Sequence, residues 1–285
     1  MIVENRPISV NGYNYIHNVC IGFEKTDINK KGQLVVSPGI DEIDIADEYK
    51  DFEAEVEEIV LPKNLEKVST NAFRNIKAKC VNIPKKLNLS IYVYWFNEAL
   101  EALKITGGTV NSAFLSNYFP KLNKIIVEEG ELLVGCCTPI HSHIKTLEFS
   151  ENCKGATVDL GAFSSLDEIK FPNKFNPNIR LKIHYSTSNL MLNNLGNNNL
   201  LQLLQYCPEA YLNVNQETCD SHFRYNAKNA ITNGMASRQQ THWFKDVQSD
   251  ISLLKAIKEK MKKDEYYHMS PEAKFIDAMN DFHKE

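Results

Sequence analysis

The densest group of reactive side chains in the sequence is VGCCTPIHSH, residues 134–143, where Cys136 and Cys137 are followed by His141 and His143. Thiolate and imidazole are ligands that zinc prefers, and a thiol beside a histidine is the pairing a nucleophilic cysteine needs. The spacing serves neither chemistry well. Zinc takes four converging ligands, and two histidines at i, i+2 point to opposite faces of an extended segment. The other six of the eight histidines are dispersed. The chain has no GxGxxG or GxxxxGK[ST], no GxSxG, no HExxH and no paired CxxC. Nothing pairs a candidate nucleophile with a base at a recognisable spacing. The expectation is a chain that is not an enzyme and has no catalytic residue, cofactor or metal.

Composition narrows the partner instead. Of 285 residues, 43% are hydrophobic and 24% charged, ordinary for a globular protein, and the net charge is −4. That balance gives no electrostatic reason to expect nucleic acid or an anionic membrane. No apolar run approaches the length of a membrane span, and the N-terminus lacks the basic-then-apolar pattern of a signal peptide. Seven cysteines, an odd number scattered along the chain, suit free thiols in a reducing compartment. A cytoplasmic protein that binds another protein is expected, with its oligomeric state open.

The elements that would position any binding residue come from a repeat. Val56, Ile59 and Leu61 form the pattern apolar-x-x-apolar-x-apolar, and adding 22 to each position reproduces it five more times without insertion. The windows are Ala78/Val81/Ile83, Leu100/Leu103/Ile105, Leu122/Ile125/Val127, Ile144/Leu147/Phe149 and Leu166/Ile169/Phe171. Positions two apart share one face of a strand. One short strand per repeat therefore predicts a parallel stack whose apolar faces merge into a single core. After residue 172 the frame slips. Leu181–Ile183 reads as a strand in an insertion, Leu190/Leu192 and Leu212/Val214 as later coils, and LLQLLQYCP between them as a short helix.

The stretch VEEIVLPKNLEKVSTNAFRNI, followed by VNIP, resembles the leucine-rich repeats of the BspA type. The resemblance is carried by Ile59, Leu61, Pro62, Leu65, Val68, Ala72, Phe73 and Ile83–Pro84, and again by Ala162, Phe163, Leu166, Ile169, Phe171 and Pro172. It implies an α/β repeat solenoid, coiling right-handed, with its parallel sheet on the concave side, used for recognition.

Three segments are expected. Residues 1–50 form an N-terminal β cap with a hairpin turn at Asn11–Gly12, residues 51–221 the solenoid, and residues 222–285 a helical tail. In the tail, Ile251, Leu254, Ile257 and Met261 lie at helical spacing. Ser270–Pro271–Glu272 opens a further helix carrying Phe275, Ile276, Met279 and Phe282, while residues 226–242 look like a polar linker.

Two surfaces are candidate partner sites. Sheet residues pointing away from the core give a concave ladder of Asn82, Lys104, Lys124, Ile126, Thr146, Glu148, Glu168 and Lys170. The tail offers Trp243, Phe244, Lys255, Lys258, Tyr266 and Tyr267. The function these favour is a non-enzymatic scaffold recognising a protein. A narrower version is a phage or bacterial product that occupies a surface of a host or competitor machine. An enzyme using the solenoid as a specificity platform, and a self-assembling structural protein, are the alternatives. In the repeat frame Cys136 stands level with Phe114 and Val158, Cys137 with Leu115 and Asp159, and His141 with Phe119 and Phe163. The cluster therefore reads as scaffold, where buried cysteine behaves as a small hydrophobe.

Overall fold

The computed structural model describes residues 1–10, 13–70, 72–89, 99–111, 119–134, 143–163, 166–183, 192–214, 219–239 and 247–282. Two compact units follow one another, Met1–Met191 and Leu192–Glu285.

The first unit is a parallel β-solenoid. Its strands are β1 (Ile2–Val10), β2 (Tyr13–Gly22), β3 (Gln33–Val35), β4 (Glu42–Ile43), β5 (Ala54–Val60), β6 (Lys67–Val68) and β7 (Ile76–Pro84). They continue as β8 (Asn88–Leu89), β9 (Ala102–Asn111), β10 (Lys124–Leu133), β11 (Thr146–Phe149), β12 (Gly155–Asp159), β13 (Glu168–Lys170) and β14 (Ile179–Lys182). The main row runs β3-β5-β7-β9-β10-β11-β13. From β5 onward its register advances by the repeat interval of the sequence, as in Glu58↔Cys80↔Ala102↔Lys124↔Thr146↔Glu168.

The core follows from that register. Ile59, Val81, Leu103, Ile125, Leu147 and Ile169 form one inward file, each fully buried. Of the eighteen repeat positions only Phe171, at the last window, is half-buried, and it stacks on Phe149 with ring centroids 5.7 Å apart. Fully burying each such aliphatic side chain contributes about 1.5–3 kcal/mol, so the file is the main cohesive element of the stack.

Two departures from the expected layout stand out. Residues 1–50 are more than a cap. β1 and β2 do form an antiparallel hairpin, with Asn11–Gly12 outside the described residues. Yet β3 already pairs in parallel with β5, Gln33↔Glu58, and β2, β4 and β6 form a return row, Val19↔Glu42↔Lys67. This first coil is slightly longer than the later ones, so a search at one fixed interval passes over it. Likewise Leu181 belongs to no insertion. β14 pairs with β12 (Val158↔Leu181), which pairs with the second half of β10, as does β9. These halves form a row round the corner from the main one. β9 and β10 turn that corner at Gly107 and Gly130, whose φ values are 131° and 120°.

The second unit contains α1 (Asn197–Tyr206), a 3-10 segment (Pro208–Asn213), α2 (Ser221–Gln239), α3 (Val247–Tyr267) and α4 (Pro271–Phe282). LLQLLQY is helical as expected. Leu212 lies in the 3-10 segment and Leu192 in another (Leu192–Asn194), so neither continues the strand file, and Leu190 lies outside the described residues. Residues 192–221, read above as solenoid, thus group with the helices. The linker expected at 226–242 is also helical as far as Gln239. Phe223, Ala227, Ala230, Ile231 and Met235 are buried at spacings of three and four. Gly234 completes the face; a Cβ there would lie 2.1 Å from the Gln205 carbonyl oxygen, so α1 and α2 cross at contact distance. Asp220 caps α2, accepting from the Phe223 N–H at 2.6 Å.

Candidate functional site

The outward ladder of the main row is present in the expected register, Asn82↔Lys104↔Ile126↔Glu148↔Lys170 beside Lys124↔Thr146↔Glu168. Lys104, Lys124, Ile126, Thr146 and Glu148 are half-buried; Glu168 and Lys170, on the last strand of the row, are exposed. Asn82 departs from the expectation, being only 8% exposed. Its Oδ1 accepts from the Leu61 N–H at 2.6 Å, and its Nδ2 donates to the Leu61 carbonyl at 2.9 Å and to Thr106 Oγ1 at 3.3 Å. β5 ends at Val60, so this amide supplies bonds that a further pair of strand residues would otherwise make. Asn82 is therefore a structural residue, not a contact surface.

The ladder's charges close on one another. Lys104 Nζ bridges two coils to Glu58 at 2.8 Å, Gln33 donates to the same carboxylate at 2.6 Å, Lys124 meets Glu148 at 2.7 Å and Lys170 meets Glu168 at 3.4 Å. Burial opposes the Lys104 charge, but the Glu58 hydrogen bond and charge outweigh it and raise its pKa. Cys80 lies between these coils; burial, then the Glu58 charge, pushes its thiol up to about 11, so it stays protonated at neutral pH. The charges of this face thus balance one another.

In the tail, Trp243 and Phe244 lie outside the described residues. Lys255 and Lys258 are exposed on α3, on the side turned away from the buried Ile257 and Asp264. Tyr266 and Tyr267 are exposed at the end of α3, with Lys274 Nζ 5.7 Å from each ring centre. α4 starts as its sequence predicts: Ser270 Oγ accepts from the Ala273 N–H at 3.2 Å, with Pro271 in the first turn. Its apolar residues, however, are uncovered. Phe275 is 67%, Ile276 60% and Met279 46% exposed, and α4 makes no extended contact with any other described element of this unit.

Sequence reasoning missed one polar cluster. Asp264 is fully buried. It accepts from Tyr211 Oη at 3.1 Å and from Lys260 Nζ at 3.0 Å, while Arg224 donates to its main-chain carbonyl. The Tyr211 hydroxyl also lies 3.8 Å from Cys219 Sγ. Burial first, then the Asp264 charge, pushes the Cys219 thiol up to about 11. Only the i, i+4 spacing of Lys260 and Asp264 hinted at this, and that spacing is equally that of a solvated helix face. With no exposure of its carboxylate, the cluster reads as a lock for α3.

Of the opening cluster, Cys136, Cys137 and His141 lie outside the described residues. His143 is exposed and lines a shallow cleft with Glu101, Lys121 and Asn123. Among the described residues no group of three or more His, Cys, Asp or Glu is placed to hold a metal, and Cys20, Cys80, Cys153, Cys207 and Cys219 are free thiols. No described helix is long and apolar enough to cross a membrane. Comparison with known proteins adds nothing to this geometry: no family model, curated protein or solved structure matches the chain.

Proposed function

We propose that this chain is a non-enzymatic scaffold that recognises another protein, with α4 as its docking element. The observation that carries the reading is the bare stripe of Phe275, Ile276 and Met279 on a well-capped helix. A lone helix of 12 residues is marginal in water, and exposing three large apolar side chains adds to its cost. Laid in an apolar groove of a partner, each would contribute about 1.5–3 kcal/mol. The i, i+4 pair Phe275/Met279 and the i, i+3 pair Ile276/Met279 have the spacings of helix-in-groove anchors. The charge-balanced ladder of Lys104, Lys124, Ile126, Thr146 and Glu148 is a second surface suited to a protein of low net charge. The regular repeat period and the AF elements support placing the solenoid with BspA-type leucine-rich repeats, and the free thiols support a cytoplasmic location.

The test is capture from the cells that encode the protein, with crosslinking mass spectrometry to locate the contact. Intact chain should crosslink to a partner through residues 266–282. Phe275→Glu/Ile276→Glu/Met279→Glu should lose that partner, and Lys104→Glu/Glu148→Lys/Lys170→Glu should keep it. An unchanged partner set for the α4 variant sinks this reading.

A further inference from the structure

The repeat builds a second surface on the solenoid that the docking helix does not use. Lys63, Lys85, Glu129 and Glu151 stand at the repeat interval and, with Lys86 and Glu128, line an open groove of about 520 Å³. That volume lies in the range of specific ligand pockets. Between Lys85 and Glu129 the strand register shifts, Glu129 pairing with Thr106, and Gly107 stands beside Lys85 in a backbone conformation that demands glycine. Gly107 has φ 131°, and a Cβ there would lie 2.9 Å from the Lys85 Cβ; a Cβ on Gly130 would lie 2.4 Å from the Gly108 carbonyl oxygen. Charge in the groove is therefore confined to its two ends.

Those charges are unevenly distributed, and half of them are without an ion pair or side-chain hydrogen bond to another described residue. Elsewhere on the solenoid opposite charges are interleaved and paired across coils, as in Lys77–Glu55 at 2.9 Å, Lys79–Glu57 at 2.8 Å and Lys124–Glu148 at 2.7 Å. In the groove, Lys63, Lys85 and Glu128 have no ion-pair partner among the described residues. Lys86 is bonded to Glu66, Glu129 is 4.0 Å from the exposed Lys154, and Glu151 accepts from the Asn173 N–H and Nδ2. Cations alone line the early coils, whereas Glu128, Glu129 and Glu151 outnumber the single Lys154 on the later ones, so a net dipole runs along the groove. Ser150 and Asn152 flank Glu151 with groups able to bond a peptide backbone, while Thr106, which lies between the two ends, already donates its hydroxyl to the Ile83 carbonyl.

Adjacent coils lie about 4.8 Å apart. Lys85 and Glu129, two coils apart, are thus separated by roughly 10 Å at the backbone, and Lys63 and Glu151 by roughly 19 Å. An extended chain advances about 3.3 Å per residue, so these spans match three to six residues. We infer that the groove binds an extended peptide segment of a partner protein, one carrying an acidic and a basic side chain three to six positions apart. The acid faces Lys63 and Lys85, and the base faces Glu128 and Glu129.

A random peptide library displayed on phage, panned on the immobilised full chain, tests this. Enriched peptides should share an acid and a base at that separation. The best of them, made synthetically with a fluorophore, should lose at least fivefold in affinity by anisotropy with Lys85→Glu and, separately, with Glu128→Lys. Phe275→Glu/Ile276→Glu/Met279→Glu should leave its affinity unchanged, so this inference and the docking role of α4 fail independently. Lys85 is exposed and Glu128 half-buried, and an unchanged thermal melt of each variant verifies its folding. No enrichment, enrichment of peptides without the charge pattern, or a loss smaller than fivefold for either reversal overturns the inference.

Discussion

Asp264 has no access to water, and it differs from its partner Lys260 in the escape route open to it. Lys260 is 21% exposed and carries its charge on a flexible stem, so it can turn outward if the carboxylate is removed. Asp264 cannot follow if Lys260 is removed, because its helix is held by Ile257 and by the Arg224 bond to its own carbonyl. Breaking a buried pair is costly when a charge stays behind, about 3–5 kcal/mol, whereas losing one hydrogen bond to a buried group costs about 1–3 kcal/mol. Lys260→Met should therefore destabilise the helical unit more than Asp264→Asn does. Urea unfolding followed by far-UV circular dichroism reads the difference, and an equal or reversed order removes Asp264 as the anchor of α3.

At the scale of elements, the solenoid holds glycines of two kinds, those its corner requires and those it does not. Gly130 sits at φ 120° with the Gly108 carbonyl oxygen 2.4 Å from where a Cβ would be, while Gly39 has nothing within 4 Å. Gly130→Ala should cost at least about 3 kcal/mol, strain and clash together, and splay β9 from β10. Gly39→Ala should be neutral or stabilising by up to about 1 kcal/mol, because it restricts only the unfolded chain. Thermal melts of the two variants check the contrast. The corner also shows where sequence reading reached its limit. The main row was legible because Ile59 to Ile169 repeat without insertion, and a file of identical spacing has few alternative folds. The first coil was not, since a few extra residues between β3 and β5 break the period without disturbing the pairing. Helix α2 was hidden for another reason. Half of its packing face is Ala227, Ala230 and Gly234, too small to strengthen the hydrophobic pattern that Phe223, Ile231 and Met235 begin, though Gly234 lets α1 approach closely. The ladder was placed correctly, but the burial of Asn82 depends on where β5 stops, which no period encodes.

Over the whole molecule, titrating groups that fold into unequal environments set the pH range of stability. Burial pushes the thiols of Cys20 and Cys80 in the first unit and Cys219 in the second from 9.0 to about 11. An unfolded chain releases these protons near pH 9, whereas the folded chain holds them to about pH 11. The folded state thus binds more protons across that window, and stability declines as pH rises through it. For Cys20, which is fully buried, the two-unit difference corresponds to up to about 2–3 kcal/mol. The acid limb has the opposite sign. Burial alone would raise the Glu42 pKa, but hydrogen bonds from Lys67 and His17 outweigh it and lower it from 4.5, and Lys77 lowers that of Glu55. Those carboxylates support folding above the unfolded value, and their support is lost as pH falls through the lowered one. Burial would lower the pKa of the N-terminal ammonium, but Asp27 and Glu24 outweigh it and raise it from 8.0, which starts the alkaline decline earlier. Melting temperature should therefore be level between about pH 5 and 8 and fall on both sides. Cys20→Ala should lower the plateau yet flatten the alkaline limb, since it removes one of the protons the folded state retains. An alkaline limb as steep as that of the parent chain would show that Cys20 ionises equally in both states, and that the decline belongs to other groups.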